Sequence, residues 1–501
     1  MKLGIDFGTT RTIVALVDRG NYPVVSFADP DGYTVDYFPS VVARVGDRLV
    51  YGFEALEAAS AGAELVRSFK RQLASGSISP DTTIDVEGLR VPLLDLVTGH
   101  LAALAHTLRT GSNAAALLAE GEPLQAVVAV PAHAHSAQRF LTLDAFRGAG
   151  FEVLGMLNEP SAAGFEFTHR QPRSVNSRRT RVIVYDLGGG TFDASLVRVD
   201  DLSHEVVSSV GVNRLGGDDF DEVLAACARA EAGDKVVLTP RQRTALLDEC
   251  RVAKENLSPQ TKRIALEVGD APVVVTVDSF YEHAAPLVDA SLTALEPLLG
   301  GLKVGQLESA EVAGIYLVGG ASGLPLVARV LRERFGRRVH RSPYPAASTA
   351  IGLAIAADEN SGFHLTDRLS RGFGVFRELD SGALLAFDPI LDRDQRISPE
   401  GAIVVTRRYR AAHNVGVYRF VEHSALGESG EPTGDVVPMG EIVFPFDRGL
   451  RDGRPLRDAA VFRTAEGALI EESYTIDPHG IVHAKITDLE DGYTQVTALG
   501  R

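Results

Sequence analysis

Short apolar, β-branched blocks broken by acidic and glycine-rich turns occur at two places in the first two hundred positions. Leu3-Gly4-Ile5 and residues 12–17 lie on either side of Asp6-Phe7-Gly8-Thr9-Thr10, which predicts a strand, a polar turn and a second strand. Residues 181–185 and 194–199 flank Asp186-Leu187-Gly188-Gly189-Gly190-Thr191-Phe192-Asp193 in the same manner. Asp186 follows Asp6 by 180 positions (186 − 6). That period is too long for a solenoid and suits two related lobes, each built around one strand-turn-strand unit, with a site between them.

Between the two copies a third strand is predicted over 126–130, ending at Pro131, with helices over 93–108 and 138–148. The architecture is therefore mixed α/β. Residues 218–230, 240–257 and 281–299 carry helical periodicity, and 314–318 reads as a strand that stops at Gly319-Gly320. The helix that follows has Pro325 near its first turn and Leu326, Val327, Val330, Leu331 and Phe335 at three-to-four spacing. A strand, a glycine pair and a helix form a junction suited to a phosphate or nucleoside. Past about residue 360 the helical pattern stops. Strand-like runs at 402–409, 415–421 and 441–446 alternate with turn clusters, and Asp477-Pro478-His479-Gly480 reads as a hairpin turn. The expected division is an α/β body over 1–357, a polar linker over 358–371 and a β domain over 372–501.

A length of 501 residues, at roughly 150 per domain, agrees with more than one domain. Acidic side chains outnumber basic ones, 66 to 50, and the net charge of −16 argues against nucleic acid or an anionic membrane as partner. Cys227 and Cys250 form no CxxC pair, and no stretch approaches the roughly 18 apolar residues of a membrane span. A soluble, cytoplasmic protein is expected.

Asp6 and Asp186 each end an apolar strand and precede glycine and threonine. This arrangement presents a carboxylate beside open backbone N–H groups: the N–H groups bind phosphate oxygens, and the carboxylates hold water on Mg²⁺. Gly8, Gly188, Gly189 and Gly190 let backbone approach a ligand, while Thr9, Thr10 and Thr191 add hydroxyls. One glycine-rich hairpin alone is as readily an ordinary turn; two copies together with Gly319-Gly320 favour a nucleotide. No GxxxxGK[ST] motif is present, so the phosphate-facing lysine comes from elsewhere, and Lys70 is the candidate. Taken alone, Lys70 reads as a solvated lysine. His133 and His135 form an HxH pair without an evident third ligand, and the basic run 170–181 reads as a solvated loop or a dock for an acidic partner.

Gly4-Ile5-Asp6-Phe7-Gly8-Thr9-Thr10, Asn158-Glu159-Pro160-Ser161-Ala162-Ala163, Asp186 to Asp193 and Leu215-Gly216-Gly217-Asp218-Asp219-Phe220-Asp221 occur in an order that strongly resembles the heat-shock-protein-70 (DnaK-type) chaperones. These belong to the actin and sugar-kinase ATPase superfamily. The resemblance covers residues 1 to about 357. It implies an actin-like, duplicated ribonuclease H-like ATPase domain with a cleft, followed by a linker and a peptide-binding β-sandwich. By the same resemblance, Lys70 orients the attacking water, Glu159 and Asp193 stand near the Mg²⁺ shell, and Thr191 places a hydroxyl near the γ-phosphate. Asp6 and Asp186 hold Mg²⁺ through water, Pro131 relays the nucleotide state, and Gly216, Gly217, Lys254, Ser258, Gly319 and Gly320 border the nucleotide. The implied cofactors are ATP/ADP and Mg²⁺. The implied partners are unfolded or extended polypeptides, a J-domain co-chaperone and a nucleotide-exchange factor.

The chain also departs from that pattern. Glu255 and Gly323 stand where the family usually has arginines at the adenine, Ala346 replaces a common aspartate, and 358–371 lacks the leucine run that couples the domains. The last 141 residues (501 − 360) resemble a sandwich without its helical lid, which implies fast client exchange. The sequence leaves two alternatives open: an actin-like ATPase that switches assembly, and a small-molecule kinase.

Overall fold

The computed structural model describes residues 1–76, 78–79, 81–171, 175, 178–233, 236–299, 312–379, 383–393, 395–397, 405–452 and 455–500. The chain forms two compact units. One comprises Met1–Arg71, Gly99–His133 and Ala149–Leu365; the other comprises Gln72–Thr98, Ala134–Gly148 and Thr366–Arg501. Two segments within 1–357 thus group with the C-terminal part, a partition that sequence texture alone does not reveal.

In the first unit, Phe151–Asn158, Leu124–Val130, Lys2–Phe7, Arg11–Leu16 and Phe38–Pro39 form one sheet, in that order. A second sheet orders Val339–Arg341, Val312–Val318, Arg181–Leu187, Phe192–Asp200 and Ser203–Val212. The expected duplication holds at the level of individual pairs. Phe7 faces Thr12 and Asp6 faces Ile13 in the first hairpin; Leu187 faces Phe192 and Asp186 faces Asp193 in the second, each pair offset by 180 positions. Each hairpin is flanked on its first strand by a parallel neighbour, Leu124–Val130 in one case and Val312–Val318 in the other. The strands are apolar because both of their faces are covered. Helices Glu159–Arg170 and Ser348–Ala357 are buried along nearly their whole length, with Ala162, Ala163, Ala350 and Ala354 letting the backbones pack closely.

The expected helices appear as Leu93–Thr110, Ser136–Gly148, Gly217–Ala232, Pro240–Glu255, Val277–Leu295 and Pro325–Phe335. Cys227 and Cys250 are buried free thiols in the core beside Phe220, Leu224 and Leu246.

In the second unit two four-stranded antiparallel sheets share one core. The first orders Leu384–Leu391, Gly372–Leu379, Val415–Leu426 and Pro432–Pro445; the second orders Val405–Arg410, Leu469–Ile476, Val482–Asp488 and Thr494–Ala498. Phe373, Phe420, Phe444, Ile470, Tyr474 and Ile486 fill the space between them. The predicted hairpin turn is present, with the Asp477 N–H donating to Ile481 O at 2.9 Å and Gly480 at φ +77°. The 358–371 stretch is not a plain polar tether, because it contains the strand His364–Arg368 and the buried charges Asp358 and Arg371. Of the expected strand 402–409, residues 402–404 lie outside the described residues, as do 172–174, 176 and 177 of the basic run. Among the described residues no helix is long and apolar enough to cross a membrane.

Candidate functional site

The two acidic turns have one geometry. Gly8 N–H donates to Arg11 O at 3.1 Å and Gly188 N–H to Thr191 O at 3.0 Å, so each loop closes three residues after its glycine. The loops also meet: a Cβ placed on Gly190 would lie 2.8 Å from Thr9 Oγ1, and one on Gly189 would lie 3.1 Å from Thr10 Oγ1. The second loop is pinned from below by the helix Gly217–Ala232, whose Gly217 and Asp218 N–H groups donate to the carbonyls of Gly188 and Gly189 at 2.9 and 2.8 Å. The glycines thus leave room for loop against loop and loop against helix, which fixes both turns without side-chain bulk.

Asp6, Gly8, Thr9, Thr10, Lys70, Glu159, Asp186, Gly188, Gly189, Thr191, Gly217, Lys254, Gly319 and Gly320 line one cavity of about 100 Å³. Asp193, Gly190 and Gly216 are buried beside it. Lys70 Nζ donates to Glu159 Oε1 at 2.8 Å and lies 5.4 Å from the centre of the Phe7 ring. Asp193 accepts from the His133 N–H at 3.2 Å and from the Thr191 hydroxyl.

These groups repel one another. Burial, then Glu159, pushes Asp6 up to about 7, with Lys70 acting the other way. The same two causes lift Asp193 to about 7, and Asp186 rises well above the usual carboxylate range through burial, Glu159, Asp6 and Asp193. Burial alone would depress the Lys70 ammonium, but Glu159, Asp6 and Asp193 outweigh it and hold the group charged. Ionising all four carboxylates around one lysine is therefore costly in this site, and a divalent cation would offset that cost. Among the described residues no three such groups converge closely enough to ligate a metal directly, and His133 and His135 gain no third ligand.

Beyond the small cavity opens a larger one of about 1340 Å³, and Lys254, Glu255, Arg11, Gly320, Ala321 and Ala346 border both. Ser258 lines only the larger, where its Oγ lies 3.0 Å from Thr261 Oγ1. Lys254 is held by Asp221 at 2.6 Å and by Gly217 O at 2.5 Å. Gly323 borders the larger cavity, and the space its side chain lacks is approached by the Arg341 guanidinium, 3.2 Å from a Cβ placed there.

Several charged and polar residues near the site carry no role that the sequence alone assigns. Arg71 reaches Asp219 at 3.1 Å, Ser68 Oγ donates to Asp218 at 2.6 Å, Arg67 pairs with Asp248 at 2.8 Å, and Arg251 joins Asp218 and Asp221 at 3.3 and 3.4 Å. These bonds link the segment that carries Lys70 to helices Gly217–Ala232 and Pro240–Glu255. The Asp218-Asp219 pair in the glycine motif was the available signal, since adjacent acids in a helix's first turn need cationic neighbours or water.

Comparison with known proteins is consistent with this geometry. Residues 101–370 match the family model described as Hsp70 protein. A "Chaperone protein HscA homolog" of Burkholderia ambifaria (strain MC40-6) is 36% identical over 374 residues, covering 72% of this chain and 58% of that protein. "Chaperone protein HscA" of Klebsiella pneumoniae is 35% identical over 370 residues, with the same coverage of each. The chain spans a little over half the length of these relatives.

Proposed function

The chain belongs to the Hsp70 family, and from that membership we propose that it is an ATP-dependent molecular chaperone, binding Mg-ATP between its two acidic loops and hydrolysing it to control how the C-terminal β unit holds unfolded or extended polypeptide. The observation that carries this reading is the convergence of two loops of identical register on a cavity lined by Asp6, Asp186, Glu159 and Lys70. Mg²⁺, held through water by Asp6 and Asp186, would neutralise charge on the β- and γ-phosphates. With the Gly8 and Gly188 N–H groups closing the loops, the remaining loop N–H groups at Thr9, Thr10, Gly189 and Gly190 and the hydroxyls of Thr9, Thr10 and Thr191 would bind phosphate oxygens. Lys70, kept charged and aimed by Glu159, orients the attacking water, and Asp193 takes up the proton that water gives up. Positioning and fixed charge supply most of the acceleration, so no covalent group is required.

Lys254, Ser258, Gly319 and Gly320 border the adenosine in this reading. The clients are extended polypeptides, and a J-domain co-chaperone and a nucleotide-exchange factor are the regulatory partners. Two buried free thiols suit the reducing cytoplasm. Binding and hydrolysis of ATP by the wild type, Lys70→Ala and Thr191→Ala, with and without an unfolded protein, test the reading. Tight Mg-ATP binding with hydrolysis stimulated by the unfolded chain is expected. A wild type that binds no nucleotide would overturn it.

A further inference from the structure

Arg11 leaves the first acidic loop and Glu255 ends the helix Pro240–Glu255, 244 residues later, yet Arg11 Nη2 lies 2.5 Å from Glu255 Oε2. The guanidinium is also seated over the Tyr37 ring, 4.5 Å from its centre, so its place does not depend on the ion pair alone. Both residues border the small carboxylate cavity and the large one, so they form the neck between the two. The small cavity, at about 100 Å³, has room for phosphates but not for a nucleoside. A nucleotide with its phosphates at the acidic loops therefore extends through the neck into the larger space.

We propose that the Arg11–Glu255 ion pair is a clasp over bound nucleotide that sets how fast nucleotide leaves. The pair joins the hairpin that carries Asp6 to the helix that carries Lys254, so the two walls of the neck must part before a nucleotide threaded through it can withdraw. The same walls must part to admit a nucleotide, so the pair bears on capture as well as on release. This inference rests on the nucleotide reading of the site and adds to it a kinetic role for two residues outside the catalytic cluster.

The size of the effect follows from exposure. The side chains are 35% and 41% accessible, so water and salt screen the pair and its contribution is that of a surface ion pair. Loss of the pair should speed release about two- to fivefold.

The test follows radiolabelled ADP, bound to the full-length protein with Mg²⁺, as unlabelled ATP displaces it. Glu255→Gln and Arg11→Gln should each release ADP about two- to fivefold faster than wild type, with the association rate rising by no more than the same factor. The exchanged pair, Arg11→Glu with Glu255→Arg, should return the rate toward wild type. Raising the salt from 0.05 to 0.5 M should speed wild-type release and leave Glu255→Gln almost unaffected. Unchanged or slower release in the single variants, or an exchanged pair as fast as the singles, overturns the clasp while leaving the nucleotide reading intact. A wild type that binds no ADP overturns both.

Discussion

The Asp186 carboxylate fills the space that a side chain on Gly319 would need, since a Cβ built there would lie 2.3 Å from Asp186 Oδ1. Gly319 has φ +83°, and its N–H donates to Pro345 O at 2.8 Å, so the backbone has no freedom to turn away. Gly319→Ala should therefore combine about 1–2 kcal/mol of left-handed strain with displacement of the carboxylate. Expected outcomes are a lower melting temperature and Mg-ATP affinity reduced at least about tenfold, read by calorimetric titration. Affinity equal to wild type would separate Asp186 from the ligand.

Lys70 and Glu159 form a close, buried ion pair at 2.8 Å. In the proposed mechanism the ammonium acts on the water and the γ-phosphate, where charge develops. Lys70→Ala should slow single-turnover hydrolysis about 10²- to 10³-fold while Mg-ATP affinity changes far less. Thr191→Ala removes one hydroxyl donor and should slow the same step by a smaller factor. Rapid-quench measurement separates the chemical step from release. A Lys70→Ala protein that hydrolyses at the wild-type rate assigns the water to another group.

In the proposed mechanism the carboxylate cluster serves catalysis at the expense of the ligand-free fold. Asp6 and Asp193 are pushed up to about 7 by burial and Glu159, against about 3.8 in an unfolded chain. Below pH 3.8 both states hold these protons and nothing is lost. Between 3.8 and 7 the unfolded chain ionises first, so this part of the stability falls as pH rises and levels off above 7. Asp193→Asn, which can still accept from the His133 N–H, should raise the melting temperature at pH 7.5, with a smaller gain at pH 4.5. Calorimetric scans of ligand-free protein at both values decide this; a gain that grows on acidification contradicts it.

Much of the fold was legible because the two hairpins repeat. The Asp6 and Asp186 loops, the strand before Gly319 and the helix after Pro325 follow from local pattern alone. The grouping of residues 72–98 and 134–148 with the C-terminal part did not, because it rests on contacts distant in sequence that periodicity does not encode. The same reason hid the partners of Arg71, Arg67 and Arg251. Isolated arginines read as solvated until the fold brings Asp219, Asp248 and Asp218 against them. Glu255 stands out in the sequence as a departure from the family pattern, but Arg11 does not, since only the folded chain places residue 11 beside residue 255.

His100 supports the first loop from beneath and should make the fold acid-sensitive. It is fully buried among Phe7, Phe38 and Phe69, with ring centres 5.3–5.5 Å away. Its Nε2 lies 3.0 Å from Thr12 Oγ1, which in turn lies 3.1 Å from Ser40 Oγ, and Ser40 donates to Gly8 O at 2.9 Å. Burial pushes the imidazole down to about 3, so it stays neutral in the folded protein while the unfolded chain takes up a proton below about 6.5. Stability from this site is complete above pH 6.5 and is lost as pH falls toward 3, by about 2 kcal/mol at pH 5. This sign is opposite to that of the carboxylates, so single variants separate the two. His100→Phe keeps the aromatic packing and binds no proton, but it takes one partner from Thr12, so it should be less stable than wild type at pH 7.5 by about 1–3 kcal/mol. At pH 5 that deficit should shrink or vanish. Urea unfolding at the two pH values measures both differences, and a deficit that is constant with pH would show that His100 does not titrate between the states.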